Sequence, residues 1–404
     1  MSTLLKIAQS AKEVDDVLCL RHQVYVVEDG KFGGRSTSEA RIMDRFDAMP
    51  FVANIIAYHD DKAIGTIRIV KQTNAGLPTE EFLDFTSYKA VIEKDFEKPV
   101  FASAGMLAIT QEGRKRRDVI MALFKMATGV CMDWGVTHVV ANANHETTSI
   151  YEHLGFESIG GKTWIPLINN SIVPMATPLA KPIDWAFSGL MDNQLDTFWL
   201  ENFSGAFERI LLSPNEVLFD QGDAANSVYI VDEGWVSIVK EDDEGQELNL
   251  AKLSKGALFG ELAMIDESTR SAKAVASTHT DVIRINKVDF QNTIRKDGQS
   301  SDKLLKIFAK RLRSTDELVM VMAYAPQTSR VNFALNKLRL SAVPHKKYPD
   351  ILVSKNGPAE VAKVAGVREY EVRRILELEK QKGHLEYSER WVHFIIDEPQ
   401  SNIA

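Results

Sequence analysis

Residues 259–272 read FGELAMIDESTRSA, and the middle of the chain takes its fold from this stretch. Gly260 lets the backbone close upon a ligand, Glu261 offers a carboxylate acceptor, and Arg270 stands nine residues further on, across a short helical turn. Ser271 and Ala272 add N–H and hydroxyl donors beside it. A cation, exposed amides at a helix start and one carboxylate form a receptor for a single anionic group with a free hydroxyl nearby. Around the cassette, from Glu216 to Ile285, short β-rich runs such as VYIVDEGWVSIVK and AVASTHTDVIRI are separated by turns at Gly222, Gly234 and Asp243 to Gly245. That spacing predicts a small all-β roll.

The cassette resembles that of the catabolite-activator and cyclic-nucleotide-dependent kinase families, including the Arg-Ser-Ala ending at 270–272. A cyclic nucleotide carries one phosphodiester charge and a free ribose 2′-hydroxyl, so the resemblance implies that Arg270 takes the phosphate and Glu261 the hydroxyl. Phe259, Gly260, Leu262, Ala263, Ser271 and Ala272 complete the expected nucleotide site. Cyclic AMP is favoured by the catabolite-activator form of the ending, and Ser271 leaves cyclic GMP open. A degenerate roll that binds nothing is the alternative, but such relatives usually lose the Glu or the Arg, and both are present here.

Upstream, strand-like and helix-like patterns alternate to about residue 165, after which Pro166, Pro174, Pro178 and Pro182 break the periodicity. Residues 144–156, NHETTSIYEHLGF, resemble the second half of the GNAT acyltransferase fold, in which a strand splays open and the next helix carries a tyrosine towards a thioester sulfur. The resemblance implies Tyr151 as the proton donor to the departing thiolate, supported by Asn144; a phenol near pKa 10 suits that task. FASAGMLAI (101–109) is the expected central strand, with Met106, Leu107 and Ala108 along the thioester arm. QEGRKRRDV (111–119) is the expected phosphate turn, with Arg114, Arg116 and Arg117 as its cations. Arg117 and Val119 stand where the family has glycines, which makes acyl carrier protein as credible a donor as acyl coenzyme A.

LRHQVYVVEDGKFGG (20–34) and DRFDAMPFVANIIAYHDDKAIGTIRIV (44–70) resemble the openings of acyl-homoserine-lactone synthases, N-acyl amino acid synthases and exosortase-associated acyltransferases. Tyr25 and Phe32 are among the matching positions. An acceptor pocket made from Arg21, Glu28, Asp44, Asp47 and Arg68 is what that resemblance implies, with an amine as the acceptor. Buried salt bridges account for the same residues equally well. Ser103 and Met106 replace a Glu and an Arg of the lactone synthases, so lactone synthesis from S-adenosylmethionine is not expected.

Downstream, Leu304, Leu305, Phe308, Leu312 and Leu318 recur at helical intervals and predict one long amphipathic helix over 302–324. AEVAKVAGVREYEVRRILELEKQKGHLE (359–386) shows two helices around a turn at Gly366, with WVHFII as a β-wing. It resembles the winged helix-turn-helix of the catabolite-activator family, which implies DNA as a partner with Arg368, Arg373 and Arg374 as contacts. Glu369, Tyr370 and Glu371 occupy positions where base-reading residues belong, and carboxylates facing phosphate weaken affinity. A retained winged helix that serves dimerisation is the alternative.

The 404-residue length exceeds what one hydrophobic core sustains. We therefore expect a multidomain α+β protein: a GNAT-like acyltransferase domain at 1–180, a linker at 181–195, the cyclic-nucleotide-binding roll at 196–300, a dimerising helix at 301–325 that makes a homodimer, and a winged helix-turn-helix at 326–404. The formal net charge of −8 is uneven: residues 301–404 carry 18 Lys and Arg against 13 Asp and Glu, and the first 300 residues carry 30 against 43. The tail alone tolerates a polyanion. No run approaches the roughly 18 to 20 apolar residues of a membrane span, and no signal-peptide order opens the chain, so a cytoplasmic location without a membrane span is expected. Two cysteines, Cys19 and Cys131, and nine histidines without ligand spacing predict no metal site. His145 could relay a proton beside the open strand, although a lone histidine more often packs at the surface.

Overall fold

The structure, a computed structural model, describes residues 2–32, 40–186 and 208–396, apart from 246, 297, 341, 346 and 349. The expected linker beyond residue 186 and the expected first residues of the roll, 196–207, lie outside the described residues, as does the tail beyond 396.

The first module runs β1 (Thr3–Ile7), α1 (Ala11–His22), β2 (Val52–His59), β3 (Lys62–Lys71), α2 (Thr86–Asp95), β4 (Phe101–Ile109), α3 (Arg117–Asp133), β5 (His138–Asn144), α4 (Thr148–His153), β6 (Glu157–Ser158), β7 (Thr163–Ile165), β8 (Asn170–Pro178) and α5 (Ala180–Ala186). Ser10 starts α1 through a capping box with Glu13. α3 buries Val119, Leu123, Met126, Ala127 and Val130 against the sheet, where they meet Ile55, Ile67 and Ile69. Helix α5 occupies the start of the expected linker; Ile183 and Trp185 pack against the first module's core, so the module extends past residue 180.

One sheet detail sets up the site. β4 and β5 pair in parallel only from Phe101↔His138 to Ala104↔Ala141, and beyond that β5 continues on β8 alone. The separation coincides with a bulge: the register against β3 shifts, and Met106 adopts a φ of 50°. A bulge adds one residue, bends the strand and ends pairing, so the two strands open like a V from this point.

The roll comprises β9 (Glu208–Leu212), β10 (Val217–Phe219), β11 (Ser227–Glu233), β12 (Val236–Glu241), β13 (Glu247–Leu253), β14 (Leu258–Phe259), a single-turn helix α6 (Leu262–Ile265), β15 (Lys273–Ala276) and β16 (Thr280–Asn286). It does not stand apart from the first module. β1 pairs antiparallel with β9, Thr3↔Leu211 to Lys6↔Glu208, so β14-β11-β16-β9 continues into β1-β2-β3-β4-β5-β8 as one sheet, and β10-β15-β12-β13 faces it. Alternation along these strands could not reveal that joint, because it links residues some 200 positions apart.

α7 (Lys287–Lys296) leads to the long helix α8 (Gly298–Tyr324). Leu304 and Leu318 are buried, whereas Leu305, Leu312, Val319, Met320 and Tyr324 are exposed. The predicted helix therefore has two apolar faces, one on the protein and one bare. The C-terminal module is α9 (Gln327–Leu340), β17 (Val343–Pro344), β18 (Ile351–Ser354), α10 (Pro358–Ala365), α11 (Glu369–Gln381), β19 (Leu385–Ser388) and β20 (Trp391–Ile395), with its sheet ordered β17-β18-β20-β19. Gly366 closes α10 in the left-handed conformation.

Candidate functional site

The cassette folds as a closed ring of polar contacts. Gly260 has a φ of 75°, and a Cβ there would meet Arg270 Nη1 at 2.7 Å, so only glycine lets the guanidinium this close. Arg270 donates to the carbonyls of Gly260 and Ser227, both at 2.7 Å, and lies over the Phe219 ring at 4.2 Å. Phe219, Tyr229 and Phe259 form the stacked wall beneath it. Glu261 is fully buried and accepts from Arg311 of α8, a partner no sequence pattern revealed because it lies 50 residues away on a helix read only for its apolar spacing. Burial raises the Glu261 carboxyl above its usual range despite Arg311 and Arg270. Two buried polar atoms of the cassette, Glu261 Oε2 and Arg270 Nε, have no hydrogen-bond partner among the described residues. Phe259, Ala263 and Ala272 are buried; Leu262 and Ser271 are exposed.

In the first module, Tyr151 stands on α4 beyond the end of β5, only 4% exposed, with Phe124 and Phe156 edge-on at 5.6 and 5.5 Å. Burial pushes its phenol up to about 12, so it holds its proton at neutral pH. Burial raises the Tyr25 phenol as well. Asn144 ends β5 and accepts from Asn170 at 3.0 Å. Met106 and Leu107 form the bulge of β4, and Ala108 after it is buried.

Four of the five expected acceptor residues meet. Arg68 clasps Asp44 with two bonds of 2.7 Å and reaches Asp47 at 3.0 Å, while Arg21 donates to Asp47 at 2.9 Å and to Asn54 at 2.5 Å. Burial resists charge on Asp47, but Arg21 and Arg68 overcome it and hold the carboxyl low. Arg68 pairs with Gly105, where a Cβ would find open space, so this network borders the splay. Glu28 goes elsewhere: its carboxylate accepts from the Gln111 amide at 3.0 Å, because the turn after α1 carries it to the loop before α3.

The three arginines of the expected phosphate turn are placed differently. Arg114 is turned onto Asp29 at 2.8 Å and the Ile109 carbonyl at 2.9 Å; Arg116 is held by Asp118 and Thr3, each at 2.7 Å. Arg117, the first residue of α3, is exposed. Both arginines pair with nearby carboxylates: Arg114, still exposed, with Asp29 from outside the string QEGRKRRDV, and Arg116 with Asp118 within it. Gly113 is the turn's necessary glycine, since a Cβ there would lie 2.7 Å from the Ile64 carbonyl.

The expected DNA contacts divide in the same way. Arg368 is the exposed residue before α11. Arg373 is bound by Glu369 at 2.5 Å and Glu389 at 2.6 Å, and Arg374 by Glu371 at 3.0 Å, so neither presents a bare cation. Among the described residues no His, Cys, Asp and Glu cluster could hold a metal ion, and no helix is long and apolar enough to cross a membrane.

Comparison with known proteins agrees with this division. Residues 16–178 match the family model for N-acyl amino acid synthase FeeM, and residues 209–297 match that for the cyclic nucleotide-binding domain. The cAMP-activated global transcriptional regulator CRP of Salmonella typhimurium is 31% identical over 163 residues, covering 40% of this chain and 77% of that protein. The cyclic AMP receptor protein of Thermus thermophilus is 35% identical over 132 residues, and the chain spans 61% of that relative's length and 33% of its own. The solved structure of FeeM, an N-acyl amino acid synthase from uncultured soil microbes, aligns at 17% identity and a TM-score of 0.38, covering 44% of this chain and 91% of that one. The chain is a multidomain α+β protein that belongs to the cyclic AMP receptor protein family. It fuses a FeeM-type N-acyl amino acid synthase domain to the cyclic nucleotide-binding domain of that family.

Proposed function

We propose that the protein is a cyclic-nucleotide-responsive N-acyltransferase of the GNAT type, which moves an acyl group from an acyl thioester to an amine. The observation that carries the reading is the parting of β4 from β5 after Ala104↔Ala141, with a buried, protonated Tyr151 on α4, the helix that follows β5. A thioester arm laid along Met106–Ala108 brings its carbonyl into the V. The amine nitrogen attacks that carbonyl, the carbon–sulfur bond breaks, and the sulfur leaves with the Tyr151 proton, so that amide and free thiol result. Asn144, fixed by Asn170, supports the strand end, and the Arg21–Asp47–Arg68–Asp44 network forms the acceptor side. Arg117 is the cation left to meet a donor phosphate, from coenzyme A or acyl carrier protein. In the roll, Arg270 and Glu261 take the phosphate and 2′-hydroxyl of cyclic AMP in preference to cyclic GMP. Residues up to 186 form the acyltransferase domain, those from 208 the roll, and those from 326 a winged helix-turn-helix. The exposed stripe of Leu305, Leu312 and Val319 is the dimer seam of a homodimer.

A second reading is favoured by the membership in a family of transcription regulators and by the pairing of Arg114 with Asp29 and of Arg116 with Asp118: a DNA-binding regulator whose first domain senses acyl thioesters without turning them over. The deciding experiment is acyl transfer from long-chain acyl carrier protein and from acyl coenzyme A to amino acids, amines and protein lysines, with and without cyclic AMP. Product that requires Tyr151 supports the enzyme; no product from either donor, by protein that binds cyclic AMP, leaves the sensor.

A further inference from the structure

The roll and the first module meet in a buried knot of charge. Lys125, midway along α3, donates to Asp232 at 2.9 Å and to Glu233 at 2.8 Å, both on β11. Arg209 of β9 donates to Asp232 at 2.6 Å and to Asp281 of β16 at 2.9 Å, and Lys125 lies 3.8 Å from Asp281. The Lys125, Arg209, Asp232 and Asp281 side chains are all less than a tenth exposed. Desolvating such groups is costly, and apolar residues of similar volume often give equal or greater stability. Stability alone therefore does not account for the knot. Its pairing is also incomplete: Arg209 Nε and Nη2, Asp232 Oδ1 and Asp281 Oδ1 have no hydrogen-bond partner among the described residues. With two cations shared among three carboxylates and spare donors and acceptors on both sides, these groups can exchange partners over small displacements.

β11 gives the knot its direction. At one end of this seven-residue strand, the Ser227 carbonyl accepts from Arg270, and the Tyr229 ring lies under the same guanidinium at 5.4 Å. Five residues after Ser227, Asp232 holds Lys125. From Lys125, α3 runs back two turns to Arg117 and the loop of Arg114 and Arg116. The β1–β9 ladder gives a parallel route, since it joins the roll's sheet to the sheet carrying the splay.

We infer that the Lys125–Asp232–Arg209–Asp281 knot couples the two sites. An anionic ligand that takes Arg270 from the Ser227 and Gly260 carbonyls frees β11, the knot re-pairs, and α3 shifts the donor loop at its N-terminus. This rests on the proposed reading of both sites as a nucleotide receptor and a thioester site. Lys125 is here a positioning residue, remote from any reacting atom.

Coupling between two sites is reciprocal. In the full chain, saturating cyclic AMP should change the affinity for a non-transferable thioether analogue of long-chain acyl coenzyme A, or of acyl carrier protein, by about 5- to 150-fold, and the analogue should change cyclic AMP affinity by the same factor. Lys125→Met should bring that factor to near one while each ligand alone binds as before, and Lys125→Arg should restore it. Hydrogen exchange on the unaltered protein keeps the test open should Lys125→Met fail to fold: cyclic AMP should change exchange at the amides of 117–125. If the ligands bind without mutual effect, if Lys125→Met keeps the full factor, or if α3 exchange ignores cyclic AMP, the knot is not the coupling contact. If neither thioether binds, the thioester reading fails and exchange alone decides the knot. Absence of cyclic AMP binding overturns both.

Discussion

The two sites of this protein are built in opposite ways. The nucleotide cassette puts its glycine, carboxylate and arginine within eleven consecutive residues, and one short helix fixes their relative positions. The proposed acyl-transfer site draws on α1, the 44–47 turn, β3, β4 and α4, more than 100 residues apart. A local site keeps its roles when its surroundings change. A dispersed one depends on which partners the fold delivers, and here it delivered Asp29 to Arg114 and Gln111 to Glu28.

That contrast is sharpened most by Tyr151→Phe. The ring keeps its place between Phe124 and Phe156, so folding and thioester affinity should survive while turnover falls about 10²- to 10⁴-fold, read as kcat with KM little changed. An unchanged rate would return the tyrosine to a packing role.

Asp47→Asn tests whether the dispersed site is held together by charge. Removing one partner of a buried ion pair costs about 3 to 5 kcal/mol, and here two arginines lose their shared carboxylate. Because Arg21 and Arg68 hold Asp47 low against the push of burial, its contribution is complete above the ordinary carboxylate pKa of about 3.9 and is lost as pH falls through the lower folded value. The gap in Tm between wild type and variant should be widest at neutral pH and should close below about pH 3.9. A gap that does not vary with pH would assign the loss to packing.

Arg270→Ala probes the local site. Losing a buried charge-assisted bond to phosphate costs about 2 to 5 kcal/mol, enough to abolish cyclic AMP binding at micromolar ligand in calorimetry. Unchanged affinity would sink the cassette as the receptor.

The smallest effect is expected in the tail. Glu369→Gln with Glu389→Gln releases Arg373, and should raise affinity for duplex DNA a few-fold and steepen its salt dependence by about one phosphate contact. A gel shift with no retardation at low salt, with either protein and with or without cyclic AMP, removes DNA as a partner.

The sequence by itself determined the local features. Alternation over 216–285 marked the roll, helical spacing marked α8, and the run FGELAMIDESTRSA marked Glu261 and Arg270, because chain connectivity keeps these residues close together. Tertiary structure decided everything that depends on distant charges meeting. Glu28 reached the donor loop, Arg373 was taken by Glu389 across the wing, Arg311 came from the long helix to Glu261, and β1 joined β9 so that Lys125 entered the roll. A hydrophobic period records which face of an element is buried and is silent about what it is buried against. These four contacts span 16 to 107 residues, beyond the reach of any local pattern.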